Sequence, residues 1–129
     1  MRKGQKISIN EAISSVTFFG HRRPETTDDE MKGTFCTLSE FGDGGVFAGH
    51  YAGFSEWERH PVGDEIVIVI DGETTLILLE NNEERKNLMT KGDLIVVPKN
   101  TWHRFESPKG VKVMTVTPQP TDHQIENPH

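Results

Sequence analysis

Several scarcities narrow the class of this chain. It has one cysteine, Cys36, in 129 residues. A single thiol forms no internal disulfide and cannot build a metal cage of several thiolates. A reducing, cytoplasmic setting is the expectation. Long apolar runs are missing as well. The longest block, Ile66 to Ile70, is about five residues, against the roughly twenty that a bilayer-spanning helix needs. No membrane span is expected. The basic start, Met1 to Lys6, leads into no apolar segment, so it does not read as a secretory signal. Positive charge is scarce too. The chain has 14 Lys and Arg against 20 Asp and Glu, a net charge of −6, and no basic cluster larger than His21-Arg22-Arg23. A binder of phosphate backbones shows a basic face, so no nucleic-acid partner is expected.

What is present is a polar chain, 33% apolar and 26% charged, with 12 Gly and 7 Pro. Its length suits one domain. The Val, Ile and Leu residues gather in blocks at 66–70, 76–79 and 94–97, which argues against wholesale disorder. Residues 8–16 read as a short helix, capped by Ser8 or Asn10, with Ile9, Ile13 and Val16 on one face. Residues 20–33, with Pro24 and an acidic run, read as a surface loop. From Thr34 onward, short apolar segments alternate with turn signals: 34–38, 46–52, 56–60, 65–70, 73–79, 85–89, 94–97, 101–106 and 111–117. Asp71-Gly72 reads as a hairpin turn and Asn81-Asn82 as another. Short strands with turns every eight to twelve residues or so predict an all-β sandwich or barrel. The expected division is an N-terminal segment, 1–33, packing on a β-barrel, 34–117, and a polar tail, 118–129. The tail is expected to be extended or partly disordered.

Two clusters carry chemistry. The first runs from Glu56 to Glu65. Strand positions two apart share a face, roughly 6–7 Å apart along the backbone, so Glu58 and His60 project together. Pro61 to Asp64 turn the chain and return Glu65 beside them. The second cluster is Pro98-Lys99-Asn100-Thr101-Trp102-His103, at the end of the strand 94–97. Its turn can carry His103 toward the same interior. Taken singly, such residues are usually solvated acids or scaffold histidines. The spacing accounts for all four at once.

With these residues in view, the chain resembles a small single-domain cupin, of the cupin_2 type. The first cupin motif has a glycine, a His-x-His pair, a Glu three or four residues on, then six residues and a Gly. Here Gly53 precedes Glu58-Arg59-His60, Glu65 follows after four residues, and Ile66 to Asp71 lead to Gly72. The second motif reads Gly92, then Asp93 to Val97, Pro98-Lys99-Asn100, Thr101-Trp102 and His103. Glu58 stands where the family has its first His, Asn100 where it has Gly, and Ser107 where it often has Asn. Gly53 lies one residue closer than usual.

The resemblance implies a double-stranded β-helix, or jelly-roll barrel. It implies one divalent ion (Fe, Mn, Ni or Zn) held by Glu58, His60, Glu65 and His103. Phe105, two residues past His103, and Tyr51 are the expected wall of a ligand pocket. Trp57 and Trp102, on the opposite parity, are expected outside the barrel, under the N-terminal segment or at a subunit contact. Cys36 reads as a small core residue. His21, His50, His123 and His129 match no motif position. Small cupins commonly dimerise, so a homodimer is the family-level expectation. Three functions compete. One is a metal-binding cupin that takes a small polar molecule, such as a sugar derivative or carboxylate. The second is a metal-dependent enzyme, a dioxygenase or an isomerase/epimerase, with Glu58 as general base. The third is a metal-free binding module.

Overall fold

The computed structural model describes residues 3–129. Among them there is one α-helix, α1 (Ile9–Ser14). Ser8 caps it, its hydroxyl accepting from the Glu11 N–H at 3.3 Å. No helix among the described residues is long and apolar enough to cross a membrane. The rest of the order is β1 (Phe19–Arg22), β2 (Phe35–Phe41), β3 (Gly44–Phe54), β4 (Trp57–Arg59), β5 (Glu65–Glu80), β6 (Glu83–Thr90), β7 (Leu94–Val97), β8 (His103–Thr117) and β9 (Asp122–Gln124). The all-β jelly-roll expectation holds.

The strands join one sheet that curls on itself. Its path is β1-β3-β8-β4-β9, with β2 on β3 and with β5 pairing β6, β7 and β8. β5 and β8 are the spine, with 16 and 15 residues. Each is longer than the sequence suggests because Asp71-Gly72 does not reverse the chain. These two residues pair with Lys112 and Val111 across a shifted register, so β5 bends and continues. Gly72 sits at φ +76°, and a Cβ there would lie 2.3 Å from the Gly110 carbonyl oxygen. The glycine serves a bulge at a barrel corner, not a hairpin. The same corner merges the expected segments 101–106 and 111–117 into one strand.

Two other elements depart from expectation. Residues 20–22 lie in the stretch read as loop, yet with Phe19 they form β1, parallel to β3 with Phe19 opposite Tyr51. Residues 122–124 lie in the polar tail, yet they form β9 on β4, with Glu58 opposite His123. In both cases the partner is distant in sequence, and polar local composition gives no sign of it.

Side chains alternate along the spine, as a pleat requires. Val67, Val69, Leu76 and Leu78 of β5 meet Phe105, Val111 and Val113 of β8 and Tyr51 of β3 in the main core. A second cluster lies under α1, where Ile13 packs on Leu38 and Ala48 with half-buried Cys36 beside them. Trp57 is buried at 2% exposure. Its cover is the Arg104 guanidinium at 5.0 Å and, edge-on, His129 of the C-terminal tail at 6.4 Å. This cover comes from β8 and the C-terminal tail rather than from the N-terminal segment. Trp102 is half-buried beneath Arg59 at 4.5 Å.

Candidate metal centre

The two motif turns are tied to each other before any side chain converges. The Asn100 N–H donates to the His60 carbonyl at 2.9 Å, and the Lys99 N–H donates to the Asp64 carboxylate at 2.7 Å. Asn100 has φ +63°, a conformation that Asn tolerates better than other side-chain-bearing residues. The turn therefore survives without the family's glycine. On this clamp, His60 follows β4, Glu65 opens β5 and His103 opens β8.

All three are buried, at 3%, 3% and 0% exposure. Glu65 Oε1 lies 3.3 Å from His60 Nε2 and 3.1 Å from His103 Nε2. Despite these distances, none of the three atoms has a hydrogen-bond partner among the described residues. They face a common point, and all lie within 4.8 Å of one another. The opposite atoms are each engaged. His103 Nδ1 is 2.9 Å from the Thr101 carbonyl, which can only accept. Nδ1 therefore carries the proton, and in the neutral ring the Nε2 lone pair is free. His60 Nδ1 is 3.0 Å from Thr121 Oγ1, and the Thr117 hydroxyl donates to Glu65 Oε2 at 2.6 Å. Ligands oriented from behind, with inner atoms unpaired and convergent, suit a cation. Two imidazoles and one carboxylate are a donor set for a first-row divalent ion. The site is thus a buried His-Glu-His triad able to bind a metal.

Electrostatics agree with a site for positive charge. Burial alone would raise the Glu65 carboxyl, but His103 and His60 outweigh it and hold it at about 2. Burial disfavours the His103 imidazolium, but Glu65 and Glu58 outweigh that and raise its pKa.

Glu58 stands one step away. Its Oε1 is 3.8 Å from His103 Nε2, and the triad's 4.8 Å grouping does not include it. Burial and then the Glu65 charge push its carboxyl upward, against the pull of His103. Its nearer company is a second group, Glu56, Glu58 and His123. His123 Nδ1 is 3.0 Å from Glu56 Oε1. Tyr51 and Phe105 both line a cavity of about 340 Å³ that Glu58, His60 and Glu65 also line. Tyr51 is buried at 1% exposure, and that burial pushes its phenol up to about 12.

Among the ionisable residues that line the cavity, Arg22, Asp28, Glu56 and His123 are not among the expected site residues. Glu56 shares strand parity with Glu58 and His60, and that signal was available. His123 matches no motif, yet β9 brings it to the cavity wall. Arg22 lay in the supposed loop. It is buried at 7% exposure, with its guanidinium 4.6 Å from the Tyr51 ring centre and 5.5 Å from that of Phe35. His50, by contrast, meets the Phe18 ring at a tilt with centroids 4.6 Å apart, and does not line this cavity.

Comparison with known proteins gives the following. Residues 50–117 match the Cupin_2 family, described as a cupin domain. The uncharacterized protein YdbB of Bacillus subtilis (strain 168) is 31% identical over 71 residues, 55% of this chain and 60% of that protein. The chain thus matches about three fifths of the length of that relative. A Streptococcus pyogenes protein of unknown function, SPY1581, is similar in structure over 93% of this chain and 91% of its own, with a TM-score of 0.63 and 14% identity. Hydroquinone 1,2-dioxygenase PnpCD, in complex with Cd²⁺ and 4-hydroxybenzonitrile, is similar over 65% of this chain and 63% of its own, with a TM-score of 0.56 and 18% identity. At these identities the structural likenesses establish the fold.

Proposed function

The chain belongs to the Cupin_2 family, and from that premise we propose that it is a metal-binding cupin that takes a small polar molecule into its barrel. The observation that carries this reading is the set of three buried, convergent and unpartnered atoms: His60 Nε2, Glu65 Oε1 and His103 Nε2. With no proton on either Nε2, three polar atoms stay unpaired in a buried site, which costs stability. An ion among them removes that cost. His60, Glu65 and His103 would hold it, with Glu58 near enough to join as a fourth ligand or to remain free. A bound Fe, Mn, Ni or Zn ion supplies a Lewis acid toward an oxygen donor in the cavity. The cavity, about 340 Å³, falls at the small end of the range for ligand pockets, about 300–1,000 Å³.

One observation favours a second reading, a metal-dependent enzyme of the dioxygenase or isomerase/epimerase type. Glu58 places a carboxylate beside the triad without belonging to it. That is the position a general base needs relative to a bound molecule. The Cd²⁺-bound dioxygenase named above makes such chemistry compatible with the fold, though not specific to it.

Elemental analysis of untagged protein, purified without added metal or chelator, tests the primary reading. The expected result is close to one divalent ion per chain in the wild type and its loss in His103→Ala. Folded wild-type protein that holds no ion, even after reloading, sinks it. Oxygen uptake or substrate turnover that depends on both the ion and Glu58 would favour the enzyme.

A further inference from the structure

Arg22 is a charged side chain that the metal reading does not use. It is more than nine-tenths buried, at 7% exposure, and it lines the same cavity as His60 and Glu65 of the triad. Its Nε has no hydrogen-bond partner among the described residues. Its contact to an acid is loose, with Nη2 3.9 Å from Glu56 Oε2, too long for a hydrogen bond. Glu56 is engaged elsewhere, through His123 at 3.0 Å. The aromatic rings of Tyr51 and Phe35 hold the guanidinium by cation–π contact. They offer it no acceptor of the carboxylate kind.

The chain goes to some length to hold Arg22 there. β1 runs parallel to β3 with Arg22 opposite Gly53. A Cβ at Gly53, φ +121°, would lie 2.1 Å from the Arg22 carbonyl oxygen. The first motif glycine is thus what lets the Arg22 backbone close onto the barrel. A buried guanidinium without its complement of acceptors is costly to keep. An arginine's planar fork matches a carboxylate in a bidentate pair.

We propose that Arg22 is the anchor for an anionic ligand, a small organic acid whose carboxylate pairs with the guanidinium inside the barrel. This rests on the metal-binding reading for the other pole of the cavity. Arg22 and the triad's His60 and Glu65 line one cavity, together with the acids Asp28, Glu56 and Glu58, and a carboxylate with a further oxygen donor offers one group to the guanidinium and one to an ion at the triad. A neutral sugar gives Arg22 no counter-charge.

The test compares pyruvate with its uncharged amide, pyruvamide, by calorimetry. Both are titrated into wild type, Arg22→Gln and Arg22→Lys, each with metal content measured. Pyruvate is expected to bind wild type at least about tenfold more tightly than pyruvamide. Arg22→Gln is expected to abolish that preference, weakening pyruvate far more than pyruvamide, while leaving metal content unchanged. Arg22→Lys, which keeps the charge and is the safer variant for folding, is expected to retain only part of the preference, because it lacks the fork. The proposal is overturned if wild type binds the acid no better than the amide, or if both variants keep the full preference. Chelated wild type separates the two readings. A preference for the acid that survives chelation and falls in Arg22→Gln supports Arg22 even where the metal reading fails. A preference lost on chelation but untouched in the variants places the carboxylate on the ion alone and overturns the anchor.

Discussion

Ion binding at the triad should stabilise the fold, and by an amount that grows with pH. The perturbation is addition of a divalent ion to chelated protein. For an ion that binds only the folded chain, a free concentration one hundred times Kd adds about 2.7 kcal/mol. Unfolding entropy of roughly 2.1 cal/mol/K per residue near the transition gives about 0.27 kcal/mol/K for this chain. The midpoint should then rise by about 10 °C. The pH dependence follows from His103, whose folded pKa lies above its ordinary value because Glu65 and Glu58 face it. A raised folded pKa stabilises the chelated protein below the unfolded pKa, and that contribution is lost as pH rises through the folded value. An ion needs the same Nε2 without its proton. Each pH unit below the folded pKa therefore costs about tenfold in apparent affinity, or about 1.4 kcal/mol. The chelated protein should lose stability from acid toward alkaline pH across this window, while the ion's increment grows. The assay is calorimetric or fluorescence melting, with and without ion, at pH 5.5 and 8. An increment equal at both, or larger in acid, would refute the assignment of His103 Nε2 as ligand. So would a full shift in His103→Ala.

Two further substitutions test the supports of the site. Gly53→Ala should destabilise by at least about 2 kcal/mol, since it combines a strained positive φ with a backbone clash at Arg22; a change under about 0.5 kcal/mol in urea unfolding would show that β1 is not held as described. Thr117→Val removes the hydroxyl that donates to Glu65 Oε2 at 2.6 Å. It should cost about 2 kcal/mol in chelated protein, as for a hydrogen bond to a buried charge, and weaken metal binding about tenfold or more, read by competition with a chromogenic chelator.

What the sequence makes legible, and what it hides, divides along the range of the interactions. The triad was readable because each half is local. His60 and Glu65 are joined by one turn, His103 follows another, and strand parity aims them inward without knowledge of distant pairing. The corner at Gly72 departs from the expected hairpin for a related reason. A positive-φ glycine after Asp signals a bend, but whether the chain reverses or continues depends on Gly110 across the sheet. The far wall of the cavity was hidden altogether. Arg22 and His123 arrive on β1 and β9, short polar strands held by β3 and β4, and nothing in their own residues marks them as strands. Cys36 and Trp57 lie between these cases, since their burial follows from composition while their covers do not. The consequence reaches function. The motif that binds the ion sits on the barrel spine, whereas the groups that would choose the ligand come from the two ends of the chain. Ion-binding capacity can therefore be read from two short motifs. On the proposal made for Arg22, ligand choice would rest on β1 and β9, whose strand pairing local pattern does not disclose, so the fork of Arg22, and not the triad, is where the ligand class should be sought.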